Sequence, residues 1–335
     1  MTQFVGSSSY LVKNNPTATQ GQKQFVSVYE VPVGKPVLVI FGGALTTTDR
    51  KAYGYIEHIS QKLPQIKDVD VYSAVYQFES VDPMLVKIQT FRRAGRKITL
   101  DANAVIARKK EQQLQEINAN EPTPGYIEDL YDAIIAPRII PRDQQATLKN
   151  MRDLVIYSHC HGAIVVKLLG DMATINMQKA GFTPAETKEI LANTVAIQHN
   201  PTAPLENRVF TTLNFASATD DTLDYHDDFS KRVLGRQDIE PTFMGDDYAN
   251  LFLASKLNKD MHGSEHGFSI GYQQTDESLT DQGKVIFAAQ RNALVNALNR
   301  AKEQQPLQSP QDMTKGDNVN FAEILTKAKA IMSQR

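Results

Sequence analysis

The sequence predicts an α/β protein: a mostly parallel central sheet flanked by helices on both faces. Three observations carry that expectation. Compact apolar runs alternate with stretches of helical spacing between Val37 and Lys302. The polar stretches richest in reactive side chains fall just after expected strands or late in the chain, where open α/β sheets place their sites. With 335 residues, 41% of them hydrophobic, the chain suits one large domain with an insertion better than two equal domains.

Taken in order, Phe4 to Val12 and Gln24 to Val31 are β-like runs separated by polar residues, an antiparallel entry to the sheet. Val37 to Phe41 is a compact strand entered through Gly34 and Pro36. It leads into Gly42-Gly43-Ala44 and then Thr46-Thr47-Thr48-Asp49, where a threonine or Asp49 caps a helix from Arg50 to Leu63. Val69 to Val75 is the next strand. Glu79 to Met151 holds helix-like pieces broken at Pro122, Pro124, Pro137 and Pro141, and reads as an inserted helical cap or lid. Leu154 to Tyr157 is a buried strand followed at once by a helical run from Ala163. A helix from Pro184 to Asn193, strands at Thr194 to Gln198 and Val209 to Phe215, and a helix from Asp246 to Lys259 follow. Gly263 to Ile270 reads as a loop, and Gly283 to Lys302 as the last core helix. Glu303 to Asn318 reads as a linker before a terminal amphipathic helix, Phe321 to Met332. The chain divides into a first half-sheet (1–78), the insertion (79–150), a segment with the rest of the sheet and its helices (151–303), and a tail (304–335).

The densest signal is Ser158-His159-Cys160-His161-Gly162 between that buried strand and its helix. Small residues stand two places before and two places after Cys160. Such spacing permits a sharp turn that lifts the central side chain clear of the backbone. Ser158 falls at the wrong register to occupy the corner itself. The stretch resembles the Gly-x-Ser-x-Gly nucleophile elbow of the α/β-hydrolase superfamily, in the cysteine-nucleophile variety of the dienelactone hydrolases. Ser158 stands for the first glycine and Cys160 for the serine.

That resemblance implies an α/β-hydrolase-like fold and a catalytic triad in the chain order nucleophile, acid, histidine. Cys160 is then the nucleophile, Asp220 the orienting acid and His266 the base, with Asp221 and His262 as alternatives. Asp220 lies in Ser217-Ala218-Thr219-Asp220-Asp221-Thr222-Leu223, and His266 in Glu265-His266-Gly267-Phe268. The oxyanion hole falls to the backbone N–H of His161 and an N–H near Gly43 or Ala44. The implied activity is hydrolysis of an acyl ester, thioester or lactone through an acyl-cysteine, as in an esterase, thioesterase or lipase. A cysteine peptidase or transacylase would use the same residues, and a catalytically inactive binding or effector module would keep the fold without the chemistry.

Several classes are disfavoured. A net charge of −2 gives no global attraction to nucleic acid. The basic residues Arg92, Arg93, Arg96, Lys97, Arg108, Lys109 and Lys110 lack interleaved aromatics; they read as a solvated helix face, with peripheral contact to an anionic surface as the alternative. No run reaches the ~20 apolar residues of a membrane span. Met1 to Asn14 lacks the pattern of a cleaved signal peptide, and the single cysteine fits a reducing compartment, so the expected location is cytoplasmic, or exported without such a signal. His159-x-His161 with His262 and His266 has a ligand-like look, but Gly263 argues against a shared helical face; neither metal nor cofactor is expected.

Overall fold

In a computed structural model of the chain, the described residues are 9–19, 22–43, 46, 48–75, 125–202, 208–220, 233, 235–245, 250–259, 276–316, 319–320, 323–324 and 326–327. Their strands are β1 (Tyr10–Asn14), β2 (Phe25–Val28), β3 (Val37–Phe41), β4 (Asp70–Val75), β5 (Leu154–His159), β6 (Val195–His199), β7 (Thr211–Ser217), β8 (Thr242–Met244) and β9 (Leu251–Ala254). Among the described residues these form one nine-stranded sheet in the order β2-β1-β4-β3-β5-β6-β7-β9-β8. The six central strands, β4 to β9 across the sheet, run parallel; β1 and β2 at one side and β8 at the other pair antiparallel. β3 and β5 are buried along their whole length, as expected of parallel strands covered on both faces.

The helices are α1 (Asp49–Lys62), α2 (Gly125–Ile134), α3 (Gln144–Arg152), α4 (Gly162–Lys179), α5 (Pro184–Ala192), α6 (Asp281–Glu303) and α7 (Pro310–Thr314). Successive side chains along a strand point to opposite faces, and this splits the core in two. Leu38, Ile40, Val155, Tyr157, Val195 and Ile197 pack with Ile56 and Ile59 of α1 and Ile286 and Leu294 of α6. Val37, Val39, Leu154, Ile156 and Ala196 pack with Leu130 of α2, Met151 of α3, Leu169 of α4 and Leu191 of α5. Among the described residues no helix is long and apolar enough to cross a membrane.

Most expected elements between Val37 and Lys302 start within two residues of their predicted bounds, and the exceptions are informative. Asp246 to Lys259 was expected to be helical; instead Leu251–Ala254 is a buried strand parallel to β7. All four residues are buried, so apolar faces on both sides satisfy a sheet position better than a one-sided helix. Asn250, just before it, holds φ +53°, which breaks any helix there. β8 was not foreseen. The expected linker contains α7, whose Met313 is fully buried against the first core. Of the insertion, α2, a short 3₁₀ turn at Ala136–Arg138 and α3 are described and pack on the second face of the sheet. The rest of the insertion, including the basic residues from Arg92 to Lys110, lies outside the described residues, as does most of the expected terminal helix.

Candidate active site

β3, β5, β6, β7 and β9 are parallel, so their carboxyl ends share one edge of the sheet. Cys160 stands at that edge, between β5 and α4, with φ +53°. A non-glycine residue in the left-handed region costs roughly 1 kcal/mol and persists only where its surroundings fix it. Here they do. The Cys160 N–H donates to the His199 carbonyl at 3.2 Å, which extends the β5–β6 ladder by one bond. The Cys160 carbonyl accepts from Ala163 N at 3.0 Å and from Thr202 N at 3.4 Å. His161 is already helical (φ −56°, ψ −26°) and caps α4. Cys160 is buried, with 9% of the residue exposed.

The turn is tight because α4 is pressed against the end of β3. A Cβ on Gly162 would lie 2.2 Å from the Phe41 carbonyl oxygen and 2.9 Å from that of Gly42. The small residue at 162 is therefore demanded by the neighbouring strand. Ser158, the other small residue of the motif, is fully buried between Phe41 of β3 and Gln198 of β6.

The chain leaving β3 crosses over the elbow. A Cβ on Gly43 would sit 3.6 Å from Cys160 Cβ and 3.5 Å from His159 Nδ1. The Gly43 carbonyl accepts from Thr46 N at 2.9 Å and Thr46 Oγ1 at 2.8 Å. Its N–H, expected as an oxyanion donor, donates to Tyr55 Oη at 3.0 Å. An oxyanion at this N–H would compete with that phenol.

Imidazoles crowd this edge. His159 and His199 face each other across β5 and β6, with ring centroids 5.8 Å apart. Both are buried, on the face covered by α1 and α6. His159 Nδ1 lies 3.3 Å from Tyr55 Oη, and His199 Nδ1 lies 3.2 Å from Gln290 Nε2 on α6. The Phe287 ring stacks near His199 at 5.6 Å. Burial pushes the pKa of His161 down to about 4, so its ring is neutral at pH 7.

Asp220 is fully buried just beyond β7, in a turn closed by its N–H on the Ser217 carbonyl at 3.0 Å. The turn is tied to β9 by Ala218 N donating to the Ala254 carbonyl at 2.8 Å and by Ser217 Oγ donating to the Ser255 carbonyl at 2.9 Å. Asp220 thus shares the edge with Cys160, two strand positions away. Of the expected site, the structure brings Cys160, His161 and Gly43 together and leaves Asp220 on the same edge, with β6 between β5 and β7. Ala44, Asp221, His262 and His266 lie outside the described residues. Sequence reasoning missed Tyr55 and His199. Neither is flagged by local spacing, because both reach the site through packing of a helix or a neighbouring strand. No family model matches the chain, and no curated protein matches it.

Proposed function

We propose that the protein is a hydrolase of the α/β type that cleaves an acyl ester, thioester or lactone through an acyl-cysteine on Cys160. One observation carries this reading: a lone cysteine holds a left-handed backbone at the corner between a parallel strand and a helix, with Gly162 jammed against β3. Proteins rarely accept that strain for a buried structural thiol, and they do accept it to aim a nucleophile. The order of elements supports the same reading. The loop from β3 adjoins the elbow, and the acid follows a strand two places beyond it.

The mechanism follows from the surroundings. α4 runs 18 residues from the elbow, and its N-terminal dipole favours a thiolate at Cys160. His266 takes the thiol proton, with His262 as the alternative, and Asp220 or Asp221 orients the ring and stabilises the imidazolium. Adjacent strands are ~4.8 Å apart, so the ends of β5 and β7 are about 10 Å apart. That gap fits one imidazole between sulfur and carboxylate. The thiolate adds to the carbonyl carbon, and the developing oxyanion is held by the His161 N–H and a donor in the loop after β3. Collapse expels the alcohol or thiol, which takes the proton from the imidazolium. Water, deprotonated by the same imidazole, then attacks the acyl-cysteine and returns the free thiol. No other residue type is needed for this sequence.

The test is direct. Iodoacetamide alkylates Cys160 at pH 7 at least about tenfold faster than a free cysteine with its ordinary pKa near 8.5. Cys160→Ala abolishes turnover of p-nitrophenyl acetate, and His266→Ala slows alkylation. Alkylation at the rate of an ordinary thiol, with no turnover by the unaltered chain, overturns the proposal.

A further inference from the structure

We propose that Tyr55 is a positioning residue for this site: its phenol oxygen accepts the Gly43 N–H while its own proton is donated to His159 Nδ1. The catalytic consequence rests on the hydrolase reading above; the hydrogen-bond chain does not.

Tyr55 projects from the second turn of α1 into the space left by Gly42. A Cβ on Gly42 would lie 2.6 Å from Tyr55 Cε2 and 2.3 Å from Thr46 Oγ1. Side chains from α1 and from Thr46 therefore fill the room that Gly42 vacates. The loop is gripped at both ends of one residue: Tyr55 Oη holds the Gly43 N–H, and Thr46, 2% exposed, holds the Gly43 carbonyl twice. The gripped residue is the one on which an added Cβ would meet Cys160 Cβ and the His159 ring at ordinary contact distance.

A phenol has one proton to give and can accept at its oxygen at the same time. With the Gly43 N–H pointed at the oxygen, the O–H is polarised and can be given to His159 Nδ1, 3.3 Å away. That fixes neutral His159 as the tautomer with its proton on Nε2. The Tyr55 and His159 rings are tilted by 42° at 6.3 Å, an arrangement that packs without stacking and leaves the edge contact intact. Tyr55 thus ties three elements, the β3 loop, α1 and the end of β5, into one arrangement before any substrate arrives. Preorganisation of this kind raises turnover without adding a contact to the substrate.

Nitrogen chemical shifts of His159 in the unaltered full-length protein test the chain without a variant. An unprotonated, hydrogen-bonded Nδ1 is expected; a protonated Nδ1 overturns the proposed direction. Tyr55→Phe then keeps the ring that fills Gly42's space and deletes only the hydroxyl. Amide exchange at Gly43 is expected to rise about tenfold or more, and unchanged exchange overturns the grip on the loop. With p-nitrophenyl acetate, kcat is expected to fall about tenfold, KM to change less than about twofold, and iodoacetamide reactivity at Cys160 to stay put. A kcat within about twofold of the unaltered chain, or alkylation that falls in parallel with kcat, overturns the positioning role. If the unaltered chain turns over no acyl ester, the hydrolase reading fails, while the His159 shifts and Gly43 exchange still decide the hydrogen-bond chain.

Discussion

Cys160 and His161 show how much one bend in the backbone can demand of single residues. Cys160 carries φ +53°, a conformation that glycine adopts freely and a Cβ resists. Comparing Cys160→Gly with Cys160→Ala isolates that resistance, because both remove the thiol. The glycine variant is expected to be more stable than the alanine variant by about 1 kcal/mol in urea unfolding, with both inactive. Equal stabilities would mean the corner is relaxed. His161 supplies a pH prediction. Its folded pKa is about 4 against an ordinary 6.5, with burial the cause. The fold therefore favours the neutral ring, and this stability is fully present above about pH 6.5 and is lost as pH falls through about 4. His161→Gln removes the titration. Its unfolding free energy should flatten between those two pH values relative to the unaltered chain; parallel curves would sink the claim. Cys160 was legible in the sequence because its flanking small residues are local. The role of Tyr55 was not, since its contacts with Gly43 and His159 join positions 12 and 104 residues apart.

At the next scale, the fit of α4 against β3 governs the site more than either element alone. The two touch through backbone at Gly162, where the Phe41 carbonyl leaves no room for a methyl group. Gly162→Ala would push α4 outward or open the turn. It is expected to cost roughly 2 kcal/mol or more and to slow alkylation of Cys160, measured by thermal unfolding and iodoacetamide kinetics on one preparation. A well-folded variant with unchanged reactivity would show that the elbow tolerates displacement. This contact also shows what local spacing leaves out. Small residues on both sides of Cys160 permit a sharp turn, but the crowding at 162 comes from a strand 121 positions earlier in the chain. Long apolar runs such as Val37–Phe41 were legible as strands, because burial on both faces erases any alternation. The four-residue Leu251–Ala254 was not, being too short to show a period against the helix-compatible residues around it.

Across the whole molecule, the far edge of the sheet is held by buried charge. Arg300 of α6, 1% exposed, donates from Nη1 to the Asn193 carbonyl at 2.9 Å, from Nη2 to Asn193 Oδ1 at 2.8 Å and from Nε to the Pro306 carbonyl at 3.2 Å. Burial lowers its pKa to about 10, so it stays charged at neutral pH. One guanidinium thereby joins the last core helix, the end of α5 and the chain leading into α7. Arg300→Leu strands three acceptors and is expected to cost about 3 kcal/mol, read as a lower urea midpoint at constant slope. A loss below about 1 kcal/mol would mean that water replaces the guanidinium. The margins of the sheet have a consequence of another kind. Among the described residues its outermost strands, β2 and β8, have only four and three residues, and each runs against its neighbour. A strand that brief offers an incoming copy almost no ladder to extend, so a molecule with so broad a sheet is guarded against end-on stacking into fibrils.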